Sequence, residues 1–157
     1  MKRVVLLMVG FVSIIFLIFL SWNGDADAQD FYGTYTFDEL IYLTALSSSS
    51  LDYANKTMVD TKYTIEADLF KIEGRDSNVE ISSPSYAKED VQFDISPLFD
   101  DHILQDHGIK YQYDVMDKDG NNTNWKLYVS PEGLFVASYH NSSYGSEVIW
   151  EIAKLYK

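Results

Sequence analysis

Two histidines and three aspartates fall within eight consecutive residues, in Asp100-Asp101-His102 and Asp106-His107. On a helix His102 and Asp106 would share a face at i, i+4. Zinc asks for three or four ligands in a set arrangement, and the remaining histidine, His140, is remote in sequence. The spacing therefore reads as a solvated acidic helix and loop, with no metal bound. Asp117-Lys118-Asp119-Gly120-Asn121 resembles a fragment of a calcium loop. In such a loop glycine is sixth and a glutamate closes the twelfth position. Here Gly120 is fourth and the next glutamate is Glu132, so a hairpin turn is the better account. There is no Gly-x-Ser-x-Gly, no phosphate-cradling glycine loop and no His-Glu-x-x-His. The chain has no cysteine, which excludes thiolate nucleophiles, Cys-ligated zinc and thiol redox chemistry. The expected role is non-enzymatic and cofactor-free, with an unassigned hydrolase as the remote alternative.

Four aromatic residues are the candidate ligand contacts: Tyr111, Tyr113, Trp125 and Tyr139. Rings with polar tips on an apolar wall can enclose a small apolar ligand and fix its orientation. They can equally fill the core of a small barrel, whose interior barely holds its own side chains. Their placement depends on the strands that carry them. Ile109, Tyr111, Tyr113 and Val115 alternate with Lys110, Gln112 and Asp114, the pattern of a half-buried strand. Trp125, Leu127 and Val129 alternate with Lys126, Tyr128 and Ser130, and Phe135, Ala137 and Tyr139 with Leu134, Val136 and Ser138. A one-residue slip inverts every side chain. The first hairpin should therefore oppose Val115 to Trp125 and Tyr113 to Leu127, through an odd loop of three or five residues centred on Gly120. For the second, Pro131-Glu132-Gly133 suits a three-residue loop, opposing Leu127 to Ala137 and Trp125 to Tyr139. All four candidates would then point inward.

The preceding elements are plainer. Phe31 to Leu43 reads as one strand with a bulge at Gly33 or near Asp38. Ser50 to Met58 suits a short helix capped by Ser49 or Ser50. Thr61–Ile65 and Leu69–Ile72 read as two short strands or one bulged strand, and Val79–Ser82 as another that Pro84 ends. Val91–Phe93 reads as a short edge strand, and Ser96-Pro97 opens a helix to about His102 or Leu104. Val148–Leu155 closes the chain. The expectation is all-β: an antiparallel meander of about eight strands closing into a small barrel, with one or two short helices and an N-terminal hydrophobic helix before them.

That N-terminal helix sets the compartment. Lys2 and Arg3 precede an apolar run from Val4 to Leu20, with Ala26-Asp27-Ala28 beyond it. A cleaved signal needs roughly 7–15 apolar residues and a small-x-small site; an anchor needs roughly 17–25. Both remain open, and both leave the basic end in the cytoplasm. Residues 1–28 are read as signal peptide or membrane anchor and residues 29–157 as the exported domain. It is either held at the cell membrane or secreted after cleavage behind Ala28. The whole chain carries 24 acidic and 12 basic residues, a net charge of −12. Lys2 and Arg3 cancel Asp25 and Asp27, so the exported part keeps that charge. Nucleic acid is excluded, because its affinity comes from lysine and arginine neutralising phosphate. Anionic membrane surfaces are disfavoured, and Val4 to Leu20 is the only membrane contact expected. The partners left are a small apolar ligand or another envelope protein.

Phe31-Tyr32-Gly33-Thr34-Tyr35, opening the first strand of a meander, resembles the Gly-x-aromatic start of calycin (lipocalin-like) barrels, although tryptophan usually stands where this chain has Tyr35. The resemblance implies a ligand-holding barrel. The exported region also resembles small uncharacterised exported proteins of Gram-positive bacteria. The shared stretches are the Tyr-Gly-Thr-Tyr-Thr-Phe start, Tyr63 to Glu73 and Gly145 to Ile149, and they imply no activity.

Overall fold

A computed structural model describes residues 30–75, 78–91, 102–141 and 147–157. The hydrophobic N-terminal segment lies outside the described residues, as do the opening of the expected Ser96-Pro97 helix and most of the Val91–Phe93 strand. Among the described residues nine strands form one antiparallel sheet: β1 (Gly33–Leu43), β2 (Lys62–Ile65), β3 (Leu69–Glu73), β4 (Asn78–Ser82), β5 (Ser85–Glu89), β6 (Tyr111–Met116), β7 (Asn122–Ser130), β8 (Gly133–Asn141) and β9 (Glu147–Tyr156). Two short helices, α1 (Leu51–Met58) and α2 (His102–Asp106), accompany it. Among the described residues no helix is long and apolar enough to cross a membrane.

The sheet order is β4-β3-β2-β1-β9-β8-β7-β6-β5. Its two edges, β4 and β5, are consecutive in sequence and separated only by Ser83 and Pro84. Alternating antiparallel pairs make these two strands run the same way, so β4 and β5 are two halves of one chain path bent at Ser83 (φ 52). The sheet must curl to bring its edges together, and it forms a half-barrel. Ser83 N–H donates to Asp68 O at 2.7 Å, and the Tyr86 hydroxyl donates to Glu66 O at 2.9 Å, tying this bend to the β2–β3 turn. The strand at Ser85–Glu89 went unread in the sequence, because Pro84 ends a strand without saying that another follows at once.

The concave face is apolar. Cross-strand rows place Tyr35, Tyr63, Ile72 and Val79 side by side, then Ile65, Phe70 and Ile81. From the other arm come Tyr113, Leu127, Val136, Ala153 and Leu40. Rings meet across the interior: Phe70 of β3 lies 5.9 Å from Trp125 of β7, and Phe31 lies 4.8 Å from Tyr113 of β6. The Tyr35 hydroxyl donates to Phe31 O at 2.8 Å, pinning the chain ahead of β1. Bulges at Asp38 and Ile41 in β1, where β9 has no matching residue, allow the strong curl. Beyond β2, the free edge of β1 is managed by α1: Leu40 N–H donates to Asn55 Oδ1 at 2.7 Å. Ser50 caps that helix as expected, accepting from Tyr53 N–H at 3.3 Å.

The convex face is buried too, over β6 to β9. Leu104 of α2 and Ile109 pack on Tyr128, Phe135, Ala137, Ile149 and Ile152, with Ile41, Tyr42, Val91 and Ile103 around them. This second core decides the registers. In the first hairpin Tyr111 opposes Val129, Tyr113 opposes Leu127 and Val115 opposes Trp125, as expected. The loop Asp117–Asn121 is odd, but its centre is Asp119 and not Gly120. Met116 pairs with Asn122, and Thr123 and Asn124 (φ 66) bulge from β7. The Asp117 carboxylate organises the turn, accepting from the N–H groups of Asp119 and Asn121, both at 2.8 Å.

The second hairpin corrects the expectation. Ser130 pairs with Gly133, leaving a two-residue Pro131-Glu132 loop, so Leu127 opposes Val136 and Trp125 opposes Ser138. Pro131 supplies the fixed φ of a turn's first corner, and Ser130 Oγ accepts from Glu132 N–H at 2.9 Å. Phe135, Ala137 and Tyr139 consequently point to the convex face. The sequence misleads here because β8 is apolar on both sides: Leu134, Val136, Phe135, Ala137 and Tyr139 are all buried.

Candidate functional site

The four candidate aromatics do not converge. Tyr113 is buried on the concave face, and Trp125 stands half-buried on the same face, its ring against Phe70. Tyr111, at the far end of β6, is 43 % exposed, with Lys88 Nζ 3.9 Å from its ring centre. Tyr139 is buried on the convex face, with Lys126 Nζ 4.7 Å from its ring centre. The expected inward set of four is thus reduced to Tyr113 and Trp125. The missing members follow from the shorter β7–β8 loop and from the exposed end of β6.

The convex face holds a polar group that alternation had assigned to solvent. Gln112, Asp114 and Lys126 are buried at 1 %, 8 % and 4 % exposure. Asp114 and Lys126 oppose each other across β6 and β7, with Lys126 Nζ 3.2 Å from Asp114 Oδ1. The amine is thereby neutralised and covered, so this pair holds two strands in register rather than offering a reactive group. At the rim of this layer His107 Nδ1 lies 2.9 Å from Glu132 Oε2, joining the end of α2 to the β7–β8 turn. The hydrogen bond from His107 holds the Glu132 carboxyl below the usual glutamate range. His102 and Asp106 are exposed on α2. No set of three metal-competent side chains occurs among the described residues; Asp100 and Asp101 lie outside them.

The chemistry that sequence reasoning missed lies on the concave face. One cross-strand row reads Val115, Trp125, Ser138, Glu151, Leu43. The neighbouring row, Tyr113 to Leu40, is buried throughout, yet Trp125, Ser138, Glu151 and Leu43 are only half-buried. The concave face is therefore open at this end. Glu151 lies inward beside Ser138 in regular alternation with Ala153 and Leu155, and Trp150 bulges from β9 just beyond it, opposite the Ser138–Tyr139 step. Burial raises the Glu151 carboxyl above the ordinary glutamate value, opposed by a hydrogen bond with Ser138 and the nearby His140. Burial first, and then the charge of Glu151, push the Tyr63 hydroxyl well above its usual range, so it stays protonated. The available sequence signal was a lone charge within the apolar run Val148-Ile149-Trp150-Glu151-Ile152-Ala153.

Two open clefts lie elsewhere, both against α1. One, of about 610 Å³, is lined by residues including Lys56, Asp60, Glu73, Arg75 and Asn78. The other, of about 480 Å³, is lined by Asp38, Glu39, Asp52, Asn55, Lys56 and Val59. Both are polar surface hollows of mixed charge, with no aromatic side chain among the described lining residues. Compared with family models, curated proteins and solved structures, the chain matches none of them.

Proposed function

We propose that the domain following residue 28 is an exported, non-enzymatic module that holds a small ligand at the open end of its concave face. The observation that carries this reading is the contrast between the two rows. Behind the half-buried Trp125, Ser138, Glu151 and Leu43 lies a fully apolar wall. An apolar enclosure with a few convergent polar groups at its mouth is the usual build of a small-molecule site. With β4 and β5 counted as one bent strand, the sheet has eight positions, the number in calycin barrels. Together with Phe31-Tyr32-Gly33-Thr34-Tyr35 at its start, this supports a calycin-like reading. Export rests on Met1 to Leu20, which hold the domain at the membrane or direct its release behind Ala28.

Titrating the full-length chain with the neutral aromatic fluorophore 1-aminoanthracene tests the proposal. Saturable binding is expected, and Ser138→Trp, which fills the open row, should abolish it while the far-ultraviolet circular dichroism persists. A wild-type chain that binds nothing saturably overturns the reading. The alternative, a protein-interaction or inhibitor module, draws on the exposed Leu51, Tyr53 and Val59 around α1. It predicts an interior that takes no probe, so the same titration separates the two.

A further inference from the structure

We infer that the open end of the concave face selects a small organic cation, seating its ammonium group between the Glu151 carboxylate and the rings of Trp125 and Tyr63, with its apolar body toward Phe70. This preference rests on the small-ligand reading and specifies its chemistry. Glu151 is the charged member of the row Val115, Trp125, Ser138, Glu151, Leu43, and its side chain is half-buried and so reachable from outside. Other buried or half-buried charges of this sheet have found partners: Lys126 with Asp114, Lys71 with Glu73, Lys154 with Glu39. Among the described residues no lysine or arginine forms an ion pair with Glu151. Ser138 satisfies part of the carboxylate, and a carboxylate retains further acceptor positions.

Among the described residues the nearby His140 is the one basic side chain acting on this half-buried carboxylate, and a charge so incompletely compensated is costly. A bound ammonium group would supply the missing counter-charge in a setting where water screens it poorly. The neighbouring rings favour the same sign. An indole face attracts cations within about 6 Å, more strongly than tyrosine or phenylalanine, and Trp125 stands next but one to Glu151 in the row. Tyr63 keeps its proton beside Glu151, so it presents a neutral ring and no second negative charge. Phe70, fully buried and 5.9 Å from Trp125, continues the apolar wall inward. Over longer distances the net charge of −12 draws cations toward the protein and repels anions.

Three probes of one shape test this: 2-phenylethylamine, 2-phenylethanol and 3-phenylpropanoate, titrated calorimetrically into the full-length chain at pH 7. The amine should bind at least about tenfold more tightly than the alcohol, and the carboxylate should show no binding. Glu151→Gln should erase the difference between amine and alcohol, and Glu151→Asp should retain part of it. If amine and alcohol bind equally, or the carboxylate binds best, cation selection is wrong while the small-ligand reading stands. Cation selection is equally wrong if none of the three binds but 1-aminoanthracene does. If no probe and no fluorophore binds, the small-ligand reading fails as well.

Discussion

The two hairpins that share β7 behave differently, and the difference shows what alternation can and cannot say about register. In β6–β7 the apolar residues Tyr113, Val115, Trp125 and Leu127 lie on one side and Gln112, Asp114 and Lys126 on the other. Opposing like to like leaves one sensible register, and that register is found. In β7–β8 every position from Leu134 to Ala137 is apolar and buried. Either register places apolar beside apolar, and the turn decides: Pro131-Glu132 closes with two residues. Alternation identifies register where two faces differ in polarity, and it is silent where both are covered. Even in the hairpin read correctly, polar did not mean exposed, because Asp114 and Lys126 lie buried on the convex face and pair with each other.

The largest expected effect tests that last point. Lys126→Ala leaves Asp114 buried and unpaired, and should cost about 3–5 kcal/mol in urea unfolding. Combining Lys126→Met with Asp114→Leu should recover most of the loss, since an apolar pair of similar volume replaces the ion pair. A cost near zero for Lys126→Ala would mean that this face is solvated after all.

Next comes the comparison within β8 and β6. Phe135→Ala on the covered convex face should cost on the order of 3–5 kcal/mol. Tyr111→Ala, at the exposed end of β6, should stay within about 0.5 kcal/mol. Equal losses would place Tyr111 in the core beside Tyr113.

A smaller effect is expected at α1, whose residues are none of them buried. Ser50→Ala removes the side-chain acceptor for Tyr53 N–H and should cost about 1 kcal/mol. Because α1 brings Asn55 to the Leu40 N–H, hydrogen exchange at Leu40 should quicken in the same variant. Unchanged protection there would detach the edge of β1 from the helix.

The smallest effect is a pH dependence. The folded protein raises the Glu151 carboxyl above its ordinary value near 4.5. Its contribution to stability is therefore full below that value and is lost as pH rises through the raised one. Glu151→Gln should melt higher than the wild type at pH 8, and the gap should narrow as pH falls toward 5. A gap that is independent of pH would separate Glu151 from the burial argued for it.

How much of this was legible follows from particular residues. The strand at Tyr111–Met116, its partner from Asn122, the Asp117–Asn121 turn and the Ser50 cap are local features, written in period, turn chemistry and side-chain acceptors. The strand at Ser85–Glu89 was not, because its partner β6 lies more than twenty positions away and its own residues are mostly polar. Tyr113 and Trp125 could be placed on one face from their strand pattern alone. Tyr139 could not, since its face depends on a loop one residue shorter than its composition suggested. Glu151 faces the interior in step with Ala153 and Leu155, but that this end of the face stays open depends on the strands paired with β9, which no single-strand pattern records.

Residue types and contacts between neighbours in the chain were enough for the all-β class, the absence of thiol chemistry, the acidic surface and the face of β6 and β7 that turns inward. Three further features came only with the assembled sheet. It curls into a half-barrel whose edge strands β4 and β5 join end to end at Ser83 and Pro84, its outer face is covered, and Lys126 is buried while Glu151 stands at an open end. Each of these depends on which distant segment comes to lie over a strand, and burial is a property of that neighbour as much as of the residue itself.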